Sequence, residues 1–253
     1  MKFAGIIAEY DPFHNGHAWQ LAQAKALGAE RVAVAMSCSL VQRGALPLLP
    51  EAVRTRSALT CGADLVFALP APCACAGAEA FARAGVALLA AAGCDGLVFG
   101  AETPDAALLM EAAELLDSDS YRAALKAQLA GGARSFAAAR QAAAAKLASD
   151  ERVAALLDKP NNNLAVEYCR AIRSLAPRME AYPLPRQGAN HGEALHSAHG
   201  QFASASALRK LWAEGGADAV APYVPEAVFP LYQEAYAAGQ YTDFSAAGRC
   251  ELA

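Results

Sequence analysis

Two histidines that flank a glycine form the most informative group of residues in this chain of 253 amino acids. They are His14 and His17, with Gly16 between them, in an H-x-G-H pattern that follows the apolar run at residues 3–8. Glycine lets backbone N–H groups approach phosphate oxygens, and a helix that begins there points the positive end of its dipole at them. Imidazole N–H groups can stabilise charge that develops on an α-phosphate. The pattern therefore predicts a site for nucleotidylyl transfer.

A second candidate group lies at the predicted start of a later helix and consists of Ser204, Ser206 and Arg209. Hydroxyl groups and the free N–H groups of a helix start bind phosphate oxygens, and a guanidinium binds them in a bidentate manner. The alternative is a serine helix cap followed by a solvent-facing arginine. Because the group follows an H-x-G-H motif in the same chain, we favour a phosphate clamp. The predicted catalytic residues are His14, His17, Ser204, Ser206 and Arg209.

Two further turns are candidates for contacts with a nucleoside. Gly100 closes a predicted strand, where it could admit an adenosine beside the backbone, and an ordinary turn glycine is the alternative. Asn161 and Asn162 follow Pro160 in a rigid turn, where their amides could read a base or a ribose. The alternative for these asparagines is a helix N-cap, and the two roles are compatible.

The remaining histidines and cysteines do not predict a metal site. A polar segment at residues 186–201 offers no helix or strand to hold ligands, which favours an exposed loop over a metal site. Its candidate ligands are His191, Glu193, His196 and His199. Cysteines at positions 73 and 75 lack a second pair at zinc-like spacing, so we interpret them as small apolar residues.

The composition indicates a folded protein without a general affinity for nucleic acid. Hydrophobic residues make up 55% of the chain and the formal net charge is −4. An RNA partner would need a local basic patch, for which the candidates are Arg43, Arg54, Arg56 and Lys159. Seven scattered cysteines and early acidic residues, which interrupt any signal-type segment, predict a reducing cytoplasm. The most apolar window, residues 84–94, is too short to span a bilayer, which predicts a soluble protein.

Alternating strand-like and helix-like segments predict the α/β class, with a parallel sheet flanked by helices. Ligands of such sheets bind beyond the carboxyl ends of the strands, where the H-x-G-H turn must lie. The predicted strands cover residues 3–8, 31–36, 64–69, 96–99 and 179–184. The predicted helices cover residues 17–27, 51–60, 78–91, 105–116 and 164–175. Gly28 ends the first of these helices, and Pro104 lies near the first turn of the fourth. Residues 118–157 predict a helical insertion, and residues after 207 a helical tail.

Six motifs in this order resemble the bacterial tRNA(Met) cytidine acetate ligases, a family of the nucleotidylyltransferase superfamily. They lie at residues 5–17, 41–44, 62–66, 99–102, 159–162 and 204–209. The resemblance implies a Rossmann-like nucleotidylyltransferase fold with helical additions. It also implies an ATP-dependent ligase that activates acetate as acetyl-adenylate. The acetyl group then passes to the exocyclic amine of the wobble cytidine in elongator tRNA(Met).

The resemblance further implies a set of contacts with ATP, and it leaves Mg²⁺ open as an accompanying ion. The contacts in the first turn are Ile7, Ala8, Glu9, Tyr10, Asp11, Pro12, Phe13, His14, Asn15, Gly16, His17, Ala18, Trp19 and Gln20. The other contacts are Gly100, Asn161, Asn162 and Arg186. No residue needs to form a covalent bond with the substrate, because adenylation by itself converts an acetate oxygen into part of a leaving group.

The chain departs from the family pattern in three motifs and in length. Cys38 and Ser39 stand where the family has glycine and asparagine, Ala68 replaces a glutamate, and Ser206 replaces a threonine. Family members continue into a C-terminal region associated with tRNA engagement. We therefore expect a catalytic domain at residues 1–210, which includes the helical insertion, and a shortened helical tail at 211–253.

Two other functions stay open at this point. One is a small-molecule nucleotidylyltransferase that joins AMP to a phosphorylated metabolite and needs no RNA surface. The other is a non-catalytic relative that binds a nucleotide or RNA. A basic patch beside the pocket would favour the tRNA ligase, its absence would favour the small-molecule enzyme, and an occluded pocket would favour the non-catalytic relative.

Overall fold

A parallel sheet of five strands forms the centre of the protein, as the computed structural model shows for the described residues 1–41, 44–186, 195–197 and 200–244. The strands are β1 (Phe3–Ala8), β2 (Arg31–Ser37), β3 (Leu65–Leu69), β4 (Gly96–Ala101) and β5 (Glu180–Pro185). Their order in the sheet is β3-β2-β1-β4-β5. The chain therefore reverses its direction of travel across the sheet between β1 and β4, which is where ligands of such folds bind. The predicted α/β class is confirmed.

Helices cover both faces of this sheet. They are α1 (Asn15–Ala26), α2 (Glu51–Thr60), α3 (Ala71–Ala74), α4 (Ala78–Ala91), α5 (Ala106–Asp117), α6 (Asp119–Ala130), α7 (Phe136–Leu147), α8 (Glu151–Leu156), α9 (Pro160–Leu175), α10 (Ala205–Val220) and α11 (Phe229–Ala237). Both ends of α2 and α4 agree with the prediction. The predicted start of α9 at residue 164 is four residues late, because Pro160 occupies the first helical turn, where its missing N–H is not needed.

Two apolar layers hold the sheet between the helices. One layer packs α4, α5 and α9 against the sheet and includes Leu89, Leu97, Leu109 and Val166. The other packs α1, α2, α10 and α11 against the opposite face and includes Ile6, Leu21, Val34 and Trp212. Burial of this apolar surface is the main favourable contribution to folding. The close contact between α4 and β1 depends on Gly85, where an added Cβ would lie 2.5 Å from Ile7 Cδ1.

Local signals at the ends of elements account for several boundaries. Gly28 follows the end of α1 with a φ of +97°, as predicted for a residue that terminates a helix. Pro104 lies just before α5 and not in its first turn, because Asp105 is the N-cap and its Oδ1 accepts from Leu108 N at 3.1 Å. The predicted insertion contains α6, α7 and α8, which are capped by Ser118, Ser135 and Asp150.

Two features differ from the sequence-based prediction. The segment predicted as a polar loop contains an antiparallel pair of short strands, β6 (Leu195–Ser197) and β7 (Gly200–Phe202). Pairing between strands of three residues depends on a partner segment and leaves little periodicity to detect. In the tail, the first helix begins earlier than predicted, because α10 starts at Ala205 and not after residue 207, and it changes direction at Gly216, which has a φ of +68°. Among the described residues, no helix has both the length and the hydropathy needed to cross a membrane.

Candidate active site

The turn at residues 9–17, called the H-x-G-H turn below, joins β1 to α1 and is held by reciprocal hydrogen bonds between its histidines. His14 is the N-cap of α1, and its Nδ1 accepts from Gly16 N at 3.0 Å. His17 Nδ1 accepts in turn from His14 N at 3.3 Å. The two rings stack with centroids 3.8 Å apart. This arrangement satisfies backbone donors that a helix start otherwise leaves unpaired.

These hydrogen bonds also decide which ring nitrogen carries the proton. Because Nδ1 of each histidine accepts from the backbone, the proton of the neutral ring lies on Nε2. Burial, with a smaller contribution from Arg186, lowers the pKa of His14 to about 4. Burial, followed by His14 and Arg186, holds the pKa of His17 well below its ordinary value. Both imidazoles are therefore neutral near pH 7, and each has one N–H available as a donor.

Two residues of this turn have backbone positions that restrict the size of the side chain. Gly16 has no room for a Cβ, and Tyr10 carries a bulky side chain in a backbone conformation that disfavours one. A Cβ added at Gly16 would lie 2.8 Å from His14 Cε1 and 3.0 Å from His14 Nδ1, so only glycine leaves room for this ring. Tyr10 is buried and has a φ of +51°, in the left-handed region that bulky residues rarely adopt. Strained residues of this kind are common next to functional sites. The ring of Tyr10 packs edge-on against His17, with centroids 4.8 Å apart.

A cleft of about 350 Å³ opens beside this turn, at the carboxyl ends of β1, β4 and β5. Five segments that are separate in sequence meet in it, as the predicted site requires. The predicted residues that line it are Ile7, Ala8, Glu9, Tyr10, Asp11, His14, Gly16, His17, Trp19, Gln20, Gly100, Asn161, Arg186 and Ser204. Gln20 also joins α1 to the sheet, because its Nε2 donates to Val98 O at 3.1 Å.

The other predicted residues are not part of this lining. Phe13 is buried, and its backbone oxygen accepts from Tyr232 Oη at 2.7 Å. Asn15 Nδ2 donates to Pro222 O at 3.2 Å. These contacts fasten the turn to the C-terminal helices, so both residues support the cleft from outside. Pro12, Ala18, Asn162, Ser206 and Arg209 are likewise absent from the lining.

Asn162 is buried and connects the start of α9 to the end of β4. Its Oδ1 accepts from Thr103 N at 2.9 Å, and its Nδ2 donates to Thr103 Oγ1 at 3.1 Å. The alternative interpretation of Asn161 or Asn162 as a helix N-cap is wrong, because Lys159 is the N-cap of α9.

The three residues of the predicted phosphate clamp do not form a single site in this structure. Ser204 caps α10, since its Oγ accepts from Ala207 N at 3.2 Å and lies 3.1 Å from Ser206 Oγ. The alternative interpretation had Arg209 facing solvent, but its guanidinium binds a partner within the protein. Its Nη1 donates to Asp11 O at 2.6 Å and to Asp11 Oδ2 at 3.1 Å. Arg209 therefore contacts the H-x-G-H turn itself. It is not part of the cleft lining, but its partner Asp11 is.

Asp11 is the partner on which this contact depends. Its carboxylate is buried, and Oδ1 accepts from Leu48 N at 2.6 Å. Burial raises the pKa of Asp11, although the bond from Leu48 and the charges of Arg209 and Arg54 oppose this shift. The turn is thus held by a buried carboxylate with one partner on each oxygen.

Arg54 does not belong to an RNA-binding patch, as the sequence suggested, because it is fully buried. Its guanidinium donates to Glu9 O at 2.7 Å, to Ser37 O at 2.6 Å and to Cys38 O. Its Nε donates to Leu49 O at 3.0 Å. The side chain therefore joins the turns after β1 and β2. An arginine within a helix usually indicates a solvated face, so the sequence carries no signal for this role.

The other members of the expected patch provide little support for it. Arg56 is exposed and lies 3.8 Å from the carboxylate of Glu234, and Lys159 is exposed. Arg43 lies outside the described residues. Two of the four candidates are therefore buried or close to an acidic residue.

The model of the HIGH nucleotidyl transferase family matches residues 1–250. The chain belongs to this family. It is 41% identical to the tRNA(Met) cytidine acetate ligase of Syntrophotalea carbinolica over 218 residues, which cover 85% of this chain and 52% of that protein. It is 35% identical to the tRNA(Met) cytidine acetate ligase of Caldanaerobacter subterraneus over 244 residues, which cover 95% of this chain and 60% of that protein.

The fold is similar to that of Thermotoga maritima TmcAL in the crystal structure with alpha-thio ATP. The TM-score is 0.85 at 30% identity, and the match covers 95% of this chain and 57% of that chain. These similarities confirm the resemblance that the six motifs indicated. The chain spans just over half the length of the relatives that it matches.

The apolar wall of the cleft in this HIGH nucleotidyl transferase was not found by sequence reasoning. It consists of Phe81, Phe99, Leu164, Tyr168 and Leu184. Phe99 and Tyr168 pack with ring centroids 5.4 Å apart, and burial raises the pKa of Tyr168. An apolar side chain on a buried helix face looks the same in sequence whether it lines a cleft or fills a core.

The described part of this family member contains neither a metal-binding group nor a disulfide bond. No group of three or more His, Cys, Asp or Glu side chains is arranged there to hold a metal ion. The residues His191, Glu193 and His199 lie outside the described residues, as does the side chain of His196. Six described cysteines are free, among them Cys73 and Cys75.

Proposed function

We propose that the chain carries out the ATP-dependent activation of acetate for a tRNA(Met) cytidine acetate ligase. The product of this step is acetyl-adenylate, and the acetyl group then passes to the wobble cytidine of elongator tRNA(Met). The observation that carries the proposal is the stacked pair of neutral imidazoles that lines the same cleft as Asn161 and Arg186. The similarity to a protein crystallised with alpha-thio ATP supports a nucleotide as the occupant of the cleft.

The chemistry of the first step requires positioning and charge stabilisation but no covalent catalysis. An oxygen of the acetate attacks the α-phosphorus, and the bond from that phosphorus to the bridging oxygen of pyrophosphate breaks. Acetate is already an anion, so no base needs to remove a proton. Negative charge grows on the α-phosphate and on the leaving pyrophosphate. The Nε2–H groups of His14 and His17 donate to this charge, and the start of α10 at Ser204 offers backbone N–H groups to the phosphates.

The second step transfers the acetyl group. The exocyclic amine of cytidine attacks the carbonyl carbon of acetyl-adenylate, and the bond from that carbon to the AMP oxygen breaks. The amine gives up a proton to water, and AMP leaves with its phosphate. We propose this step for the whole ligase to which the chain is similar, because the chain spans only part of the length of its relatives.

A specific observation favours a second candidate function. Arg54 is buried and Arg56 lies near Glu234, so two of the four expected RNA-binding side chains are not free for a phosphate backbone. A small-molecule nucleotidylyltransferase, which transfers AMP to a phosphorylated metabolite, would need no such patch. The non-catalytic alternative has less support, since His14 and His17 both line the open cleft.

The decisive experiment follows AMP and pyrophosphate release from MgATP with and without acetate, and with and without tRNA(Met). Acetate-dependent release that tRNA accelerates, together with acetylcytidine in the tRNA, supports the ligase. Release that neither acetate nor tRNA stimulates would transfer support to the small-molecule enzyme. The control is His14→Asn/His17→Asn, in which both Nε2–H donors are removed and an acceptor atom stays near each Nδ1 position.

A further inference from the structure

We propose that Glu102 is a positioning residue, which holds Asn161 and Arg186 in the orientation that a bound nucleotide requires. The inference rests on the proposed function, because Asn161 and Arg186 are taken as nucleotide contacts. Glu102 lies immediately after β4, in the fourth of the six motifs, and none of the roles described above uses its carboxylate. Glu102 itself is outside the lining of the cleft.

Both oxygens of Glu102 bind the first turn of α9. Oε1 accepts from Asn161 N at 3.2 Å and from Asn161 Nδ2 at 2.6 Å. Oε2 accepts from Asn162 N at 2.7 Å. The first N–H groups of a helix have no partners within the helix, and the positive end of its dipole favours an anion. The carboxylate therefore replaces the side-chain cap that Lys159 does not provide at this helix start.

This contact determines which way the amide of Asn161 faces. A carboxylate only accepts hydrogen bonds, so it selects the NH₂ group of Asn161 and turns the amide oxygen in the opposite direction. That oxygen accepts from Arg186 Nη1, at the end of β5. Glu102, Asn161 and Arg186 thus form a relay that connects β4, α9 and β5. Its last two members are on the wall of the cleft.

A neighbouring contact makes the relay rigid. Asn162 binds both the backbone N–H and the hydroxyl of Thr103, so two consecutive residues of the loop after β4 are joined to two consecutive residues of α9. On the cleft side, the stem of Arg186 lies over Gly100, with 3.5 Å between Arg186 Cγ and the position of an added Cβ. A shift of the α9 start would therefore move Asn161 and release the guanidinium.

The test is Glu102→Gln, which keeps the size of the side chain and replaces one acceptor by a donor. One of the N–H groups of Asn161 or Asn162 then loses its acceptor, and the amide of Asn161 is free to turn its NH₂ group toward Arg186. We expect the KM for ATP in acetate-dependent AMP release to rise about fivefold, while kcat changes less than about twofold. The matched control is Asp105→Asn, which weakens a carboxylate cap three residues away, at the start of α5.

A measurement without nucleotide separates this proposal from the proposed function. In the ligand-free protein, the side-chain amide protons of Asn161 should exchange faster and change chemical shift in Glu102→Gln but not in Asp105→Asn. Unchanged Asn161 protons would overturn the relay. An equal rise in KM for both variants, or a fall in kcat with KM unchanged, would also overturn it. A wild-type chain that neither binds nor turns over ATP would refute the proposed function, while the exchange data would still decide whether Glu102 orients Asn161.

Discussion

Arg209 and Asp11 form a paired contact across 198 positions of sequence, in which one guanidinium nitrogen binds both the backbone oxygen and the carboxylate of the aspartate. The aspartate is buried and the arginine is about one-third exposed. This contact fixes the H-x-G-H turn against α10. An arginine that would serve only as a phosphate clamp has no need of such a partner. Arg209 therefore has a structural role in the ligand-free protein, whatever contacts it makes with a bound phosphate.

Removal of this arginine should destabilise the fold. In Arg209→Ala, the buried carboxylate of Asp11 keeps only its bond from Leu48 N, so we expect the free energy of unfolding to fall by about 1–3 kcal/mol. In the background of Asp11→Asn, the same change should have a smaller effect, because the charge that needs the partner is already absent. A double-mutant cycle by urea unfolding measures the difference. Additive effects would show that the contact contributes nothing to stability.

The Nε2–H group of His17 should act on the rate of adenylation far more than on ATP affinity. His17→Asn keeps an acceptor for His14 N, because Oδ1 of asparagine occupies a place similar to Nδ1, but it lacks the donor toward the cleft. Loss of one such donor typically lowers the rate by about 10²–10³. Single-turnover acetyl-adenylate formation and equilibrium ATP binding report the two effects separately. Equal losses in rate and binding would mean that His17 contacts the ground state and the transition state alike.

Gly16 should be sensitive to the addition of a single methyl group. In Gly16→Ala, the Cβ would lie 2.8 Å from the ring of His14, so this ring must leave its position over His17. We expect the rate of AMP release to fall at least about tenfold. Gly77→Ala is the matched control, since Gly77 is the N-cap of another helix, α4, and an added Cβ there would meet nothing within 4 Å. Similar activity in both variants would contradict the packing argument.

Stability should decline in acid because of His14. The pKa of this imidazole is about 4 in the folded protein and near 6.5 in an unfolded chain, so the unfolded state binds more protons between these values. The stability contribution is complete above about pH 6.5 and is lost as the pH falls toward 4. In His14→Asn, the decrease in Tm from pH 7 to pH 4.5 should be smaller than in the wild type by about 5–10 °C. Parallel Tm curves for the two proteins would show that His14 does not titrate in this way.

Much of the fold could be predicted because it depends on local patterns. The bounds of α2 and α4, the first strand and the end of α1 at Gly28 follow from apolar spacing and from residues that start or stop a helix. The position of the H-x-G-H turn at the carboxyl ends of the strands follows from the alternation of strands and helices. Most of the predicted cleft residues could be found for the same reason, as they lie in short motifs at strand ends.

Only the tertiary structure decided which of these residues meet one another and what each side chain contacts. The sequence alone determined that a helix begins near His14 and His17 after a buried strand, because that follows from the pattern of neighbouring residues, although α1 begins at Asn15 and not at residue 17 as predicted. It could not determine that Arg54 is buried under the turn, that Arg209 binds Asp11, or that Glu102 reaches α9. The partners in these contacts lie far away in sequence, from 45 positions between Arg54 and Glu9 to 198 positions between Arg209 and Asp11. The other partners of Arg54 are nearer in sequence. These contacts depend on how the sheet brings distant strand ends together, and a charged residue has the same letter in the sequence whether the fold buries it with partners or leaves it in water.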